Sequence, residues 1–127
     1  MSYCVPPSFV VKVNQRVLRP FEPHAVLDTG KMLSALGRPI QTFDGRLLYP
    51  TVMERGGALL EGLAQAHAFQ EGNKRTAWLT TVAYLRQNGF KLQHVPAPVA
   101  GGMVLQLVNH EIDLHTATQW MTANLEA

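Results

Sequence analysis

The chain has 127 residues, 46% of them hydrophobic and 16% charged, and a formal net charge of +2. That length fits one domain with a real core, and so small a charge does not by itself argue for a nucleic-acid partner; no direct DNA binding is expected. Cys4 has no second cysteine to pair with, no run reaches the ~18 apolar residues of a membrane span, and no basic region leads a long apolar run at the start; a reducing, cytoplasmic location without membrane span or signal peptide is expected.

Residues 8–13, SFVVKV, are short and rich in β-branched side chains, and predict an edge strand or an ordered N-terminal arm within residues 1–25. Residues 24–37 predict a helix weakened by Gly30, with Leu33 and Leu36 on one face and Gly37 as its stop. The Asp44-Gly45 pair between Ile40/Phe43 and Leu47/Leu48/Tyr49 is a hairpin signal. Pro50 and Thr51 open a helix running to about His67, striped by Val52, Leu59, Leu60, Leu63 and Ala66.

A further helix is expected from about Asn73 to Asn88, where Trp78, Val82 and Leu85 give an apolar surface wide enough for a central position; Asn88-Gly89 ends it. Val99, Met103 and Leu107 place the next helix in register. Asp113 caps a last one, whose Leu114, Ala117, Met121 and Leu125 share a face. Trp78 and Trp120 read as core, and Lys12, Arg16 and Arg19 as a solvated N-terminal segment. His110 and His115 have a poor spacing for a metal, and His24 and His94 have no evident partners.

Between the two central helices stands HAFQEGNKRT, residues 67–76. Gly72 opens backbone conformations closed to other residues, and the first turn of the following helix offers free N–H groups and partial positive charge. Lys74 and Arg75 add positive charge there, against the helix dipole, which points to a bound anion such as phosphate. His67 is suited to take a proton from a hydroxyl. Glu71 could hold Mg²⁺ beside phosphate oxygens, and Phe69 would anchor the link in the core. Singly, each residue is more often a cap, a turn or a solvated charge; jointly they equip transfer from a nucleotide to a hydroxyl.

These residues resemble the Fic/Doc superfamily motif H-x-F-x-[D/E]-G-N-[G/K]-R, and most of all the Doc (death-on-curing) branch. SALGRPIQTFDGRLLYP, AYLRQNGF and HEIDLHTATQWM extend the likeness over about residues 29–125. The resemblance implies a mostly α fold: one compact Fic/Doc-like helical bundle with a short β-hairpin flap at Asp44-Gly45 that helps to hold the target. It implies His67 as general base, Glu71 as the magnesium carboxylate, Gly72, Asn73, Lys74 and Arg75 as the phosphate-binding loop, and ATP and Mg²⁺ as substrate and cofactor.

Fic adenylyltransferases have glycine at the position of Lys74 and a second arginine at that of Trp78. Doc-like toxins resemble this chain at both places, and the likeness implies a protein kinase acting on elongation factor Tu and held in check by a Phd-like or other small antitoxin. Ala68 stands where many relatives have proline, with its side chain expected to point away from the pocket. The alternatives are a Fic-type nucleotidyl (AMP) transferase and a catalytically silent subunit that binds a partner in the same groove.

Overall fold

The structure, a computed structural model, describes residues 2–127. In chain order it has α1 (Pro7–Val17), α2 (Thr29–Gly37), a 3-10 turn at Arg38–Ile40, the strands β1 (Thr42–Phe43) and β2 (Arg46–Leu47), then α3 (Val52–Ala66), α4 (Asn73–Gln87), α5 (Ala97–Val108) and α6 (Leu114–Ala123). The expected mostly α bundle with a small hairpin is the architecture observed.

Helix α3 is the axis. It packs against α2, α4, α5, α6 and the 3-10 turn. Thr51 caps its start: Oγ1 accepts from the Glu54 N–H at 3.1 Å and donates to Glu54 Oε1 at 2.8 Å. Leu59 and Leu60 are wholly buried beside Leu36, Leu85, Leu107 and Met121. Each such side chain contributes roughly 1.5–3 kcal/mol of burial. Gly56 and Gly57 let neighbours approach the α3 backbone: a Cβ on Gly56 would lie 2.7 Å from Leu85 Cδ2, and one on Gly57 would collide with Thr118 Oγ1. Helices α4 and α6 thereby sit close on the two flanks of α3.

Three expectations change. Residues 8–13 are helical, not a strand: Pro7 starts α1, and the helix buries Val10 and Asn14 against the rest of the fold. Tertiary contact overrides the β-branched preference. Helix α2 starts at Thr29, not near His24, because the Asp28 carboxylate caps it by accepting from the Lys31 N–H at 2.9 Å. Residues 25–28 are extended and pair with the link after α3. In α5 the buried face is Ala100, Met103, Val104 and Leu107, while Val99 is half exposed. Ala100–Met103–Leu107 is as regular a helical series as the one through Val99, and the small alanine allows the closer approach.

Trp78 and Trp120 stack edge to face with centroids 6.0 Å apart, half-buried at the margin of the core. Among the described residues no helix is long and apolar enough to cross a membrane.

The contact of α3 with α4 has a direct test. Gly56→Val should lower stability by roughly 1–3 kcal/mol, because Leu85 is fully enclosed and cannot yield. Thermal melting reads the effect; an unchanged Tm would mean that the helices do not meet there.

Candidate active site

The link between α3 and α4 reverses the chain through two left-handed residues. His67, the C-cap of α3, has φ 49° and ψ 40°; Gly72, the N-cap of α4, has φ 77° and ψ 20°. A left-handed histidine is uncommon and carries a local cost, typically about 1 kcal/mol or more. The result is an exposed imidazole that makes no hydrogen bond among the described residues. Directly after it, Ala68 and Phe69 are buried, so the link is pinned at the point expected of Phe69, and Ala68 points into the core, away from solvent.

The extended residues 25–28 run alongside. The Leu27 and Asp28 N–H groups donate to the Ala68 carbonyl at 2.7 and 3.2 Å, and the Gln70 N–H donates to the Ala25 carbonyl at 3.0 Å. Inside the link, the Asn73 side chain folds back: Oδ1 accepts from the Phe69 N–H at 3.0 Å and Nδ2 donates to the Phe69 carbonyl at 2.8 Å. The side chain of Asn73 is thus a brace, and what it offers an anion is its backbone N–H. No side chain caps α4. The amide groups of its first turn therefore remain open, the arrangement that attracts phosphate.

Below this turn lies Asn14 of α1, completely buried. Its Nδ2 donates to the Glu71 carbonyl at 2.8 Å and to Thr76 Oγ1 at 3.1 Å, and its Oδ1 is 2.7 Å from His24 Nδ1. His24 therefore has a partner, contrary to the sequence expectation. Gly72 is favoured by its positive φ, and a Cβ there would sit tightly, 3.2 Å from Leu18 Cδ2 and 3.4 Å from Asn14 Nδ2.

The two basic residues of the first turn diverge. Lys74 is exposed. Arg75 is engaged: Nη1 donates to the Val17 carbonyl at 2.6 Å and to Glu22 Oε1 at 2.9 Å, and Nη2 donates to Glu22 Oε2 at 2.8 Å. This two-pronged pair ties the segment after α1 onto α4 and offsets the dipole cost anticipated for an arginine in that turn. The Glu22 side chain is only 8% exposed. Arg75 first, and then the Arg19 N–H, hold the Glu22 carboxyl down from its usual 4.5 to about 2.

Glu71 is half-buried in the link. No cluster of three or more His, Cys, Asp or Glu side chains forms a ready-made metal cage among the described residues. A single carboxylate beside open amides suits Mg²⁺ that arrives on phosphate oxygens and keeps water ligands. Next to Lys74 a cleft of about 630 Å³ runs between α1, α4 and α5, floored by Trp78, Val82, Leu92 and Val104 with Arg16 at its rim.

Asp44 and Gly45 both have positive φ, the pattern of a tight primed hairpin turn. The flap exposes Phe43, Leu47 and Leu48. Its base is held by Arg38, which pairs with Glu61 at 2.6 Å and reaches Tyr49 Oη at 3.3 Å, and by Arg55, which donates to the carbonyls of Tyr49 and Pro50 at 3.1 and 2.9 Å. Sequence reading missed Asn14, Glu22, Arg38 and Arg55. The one available signal was the unbalanced charge at Lys74 and Arg75, which called for an acid elsewhere.

The depressed Glu22 carboxyl gives a pH test. A carboxylate whose pKa is lower in the folded chain adds stability that is full above about pH 4.5 and is lost as the pH falls towards about 2. Glu22→Gln should lower Tm at pH 7 and remove part of the decline between those two values. Parallel melting curves over that range would refute the pairing if both proteins declined alike.

A family model described as the Fic/DOC family matches residues 4–85. Toxin Doc of Mycolicibacterium smegmatis (strain ATCC 700084 / mc(2)155) is 42% identical over 67 residues. That match takes in 53% of this chain and 52% of the relative, so the chain covers about half of the length of this curated relative. With the motif link, the helical bundle and the hairpin in place, the chain belongs to the Fic/DOC family.

Proposed function

We propose that the chain is the toxin of a toxin–antitoxin pair and transfers the γ-phosphoryl group of ATP to a hydroxyl of elongation factor Tu. The observation that carries this reading is the exposed, left-handed His67 beside the uncapped head of α4, with Lys74 free on the same turn. His67 takes the proton of the attacking hydroxyl. The hydroxyl oxygen bonds to the γ-phosphorus as the bond to the bridging oxygen breaks, and ADP leaves with that electron pair. The amides of Gly72 to Lys74 and the Lys74 ammonium receive the phosphates, and Arg75 acts through Glu22 and Val17 to keep the turn in place. Glu71 would hold Mg²⁺, which supplies charge neutralisation at the phosphates when bound. Residues 1–127 act as one domain in this reading, with α1 part of it.

The choice of elongation factor Tu rests on the resemblance to Doc toxins. So does the preference for kinase over nucleotidyl transfer: Lys74 and Trp78 replace the glycine and the second arginine that hold the outer phosphates in adenylyltransferases, so a nucleotide can lie with its γ-phosphate next to His67. The exposed flap side chains Phe43, Leu47 and Leu48 offer a surface for the target segment. The cleft beside Lys74, apolar in its floor with Arg16 at the rim, suits an antitoxin segment of aliphatic and acidic residues that folds on binding.

ATP labelled separately at the α and γ positions, with Mg²⁺ and elongation factor Tu, tests the reaction. Label from the γ position alone and a mass gain of one phosphate are expected; label from the α position would establish nucleotidyl transfer instead. His67→Ala should lose about 10²–10⁴-fold in rate with little change in Tm. Full activity in that variant would end its assignment as base. Expression of the wild-type chain alone should halt growth, and harmless accumulation of folded protein would end the toxin reading.

A further inference from the structure

Asn14 belongs to α1, outside the motif, and is completely buried under the turn that the motif builds. Its contacts leave one amide orientation. The Glu71 carbonyl can only accept, so the atom 2.8 Å from it is the NH₂ end of Asn14. The second hydrogen of that group goes to Thr76 Oγ1 at 3.1 Å. Oδ1 is then the atom facing His24, 2.7 Å from Nδ1. Because Oδ1 can only accept, His24 carries its proton on Nδ1 whether the ring is neutral or charged.

The carbonyl of Glu71 is thus drawn inward. In a trans peptide the C=O and the following N–H point in opposite directions. The Gly72 N–H is therefore turned away from Asn14 and has no hydrogen-bond partner among the described residues. The bond to Thr76 fixes the same turn from its other side. Gly72 lies close to both Asn14 and Leu18, and its positive φ is what favours glycine there.

We propose that Asn14 is a positioning residue for phosphate recognition: it turns the Gly72 amide outward to meet a phosphate of the nucleotide, and His24 holds Asn14 in the orientation that does so. This rests on the nucleotide reading of the site above. Neither side chain touches the phosphate. Both act through the backbone of the link.

The test is ATP·Mg²⁺ binding by calorimetry, with steady-state kinetics and melting curves, on Asn14→Asp and His24→Ala. Asn14→Asp keeps the shape, removes both donors and sets a carboxylate against the Glu71 carbonyl. ATP affinity should fall roughly 10- to 100-fold, the loss of one hydrogen bond to a charged group. His24 is exposed, so His24→Ala should remain folded, with a modest fall in Tm for the lost bond to Asn14, and raise the KM for ATP about 3- to 10-fold with kcat nearly unchanged, the signature of lost ground-state binding. Should Asn14→Asp fail to fold, His24→Ala decides alone. A lower Tm with wild-type ATP affinity in the folded variants would make Asn14 a packing residue only and overturn the proposal. A wild-type chain that binds ATP·Mg²⁺ and transfers nothing would remove the kinase reading, and the binding comparison would still decide the role of Asn14. A wild-type chain that binds neither ATP nor tripolyphosphate would overturn both.

Discussion

The reversal between α3 and α4 is the constraint on which the rest depends. Two helices packed flank to flank must be joined by a link that turns back at once, and this one does so with left-handed backbone at His67 and Gly72. At Gly72 the conformation is free of side-chain strain. At His67 it is not, and the burial of Ala68 and Phe69 immediately afterward holds the strained residue in place. The same geometry that closes the loop presents the imidazole to solvent and leaves the head of α4 without a cap. Loop closure and the exposure of these groups are one feature here.

A link of this kind cannot be rigid by itself. Its support comes from the N-terminal third of the chain. Residues 25–28 pair with it edge to edge, Asn14 holds it from beneath, and Glu22 grips Arg75 from the side. Backbone groups that would otherwise be orphaned on a polar loop are thereby satisfied within the protein. The helix dipole that disfavours cations in the first turn of α4 is answered by the Glu22 carboxylate for Arg75, which leaves Lys74 as the cation open to a ligand.

The flap has a different construction. Its two short strands bury almost nothing, and a hairpin so small is unstable on its own. Arg38 and Arg55 fasten its base to α3 through Glu61 and the carbonyls of Tyr49 and Pro50, so that the exposed Phe43 and Leu47 stand on an anchored support. The flap is thus fastened at its base while its strands stay exposed.

Much of this was legible in the residues. The apolar stripe of 52–66 is clear, so α3 follows from it; in 73–87 the expected stripe of Trp78, Val82 and Leu85 is not the buried face, which is Thr76, Ala77, Thr80, Thr81, Tyr84 and Leu85, so the helix was legible there but its orientation was not. Asp44-Gly45 demanded a hairpin because few other pairs tolerate positive φ at both positions. The motif itself named the residues of the candidate site, since its chemistry is local in sequence. Other features were not legible. Residues 8–13 satisfy a strand as well as a helix until a neighbour selects one face, and Val99 competes with Ala100 until α5 docks. The roles of Asn14, Glu22 and His24 depend on side chains meeting across 53 to 62 positions or across a loop, and no local pattern encodes such a meeting. Sequence by itself determined which groups the candidate site has to offer, because chemical identity belongs to the residue. Only the tertiary structure decided which of them stay open: Arg75 and the Asn73 side chain are bound within the fold, whereas His67, Lys74 and the amides of the turn are not.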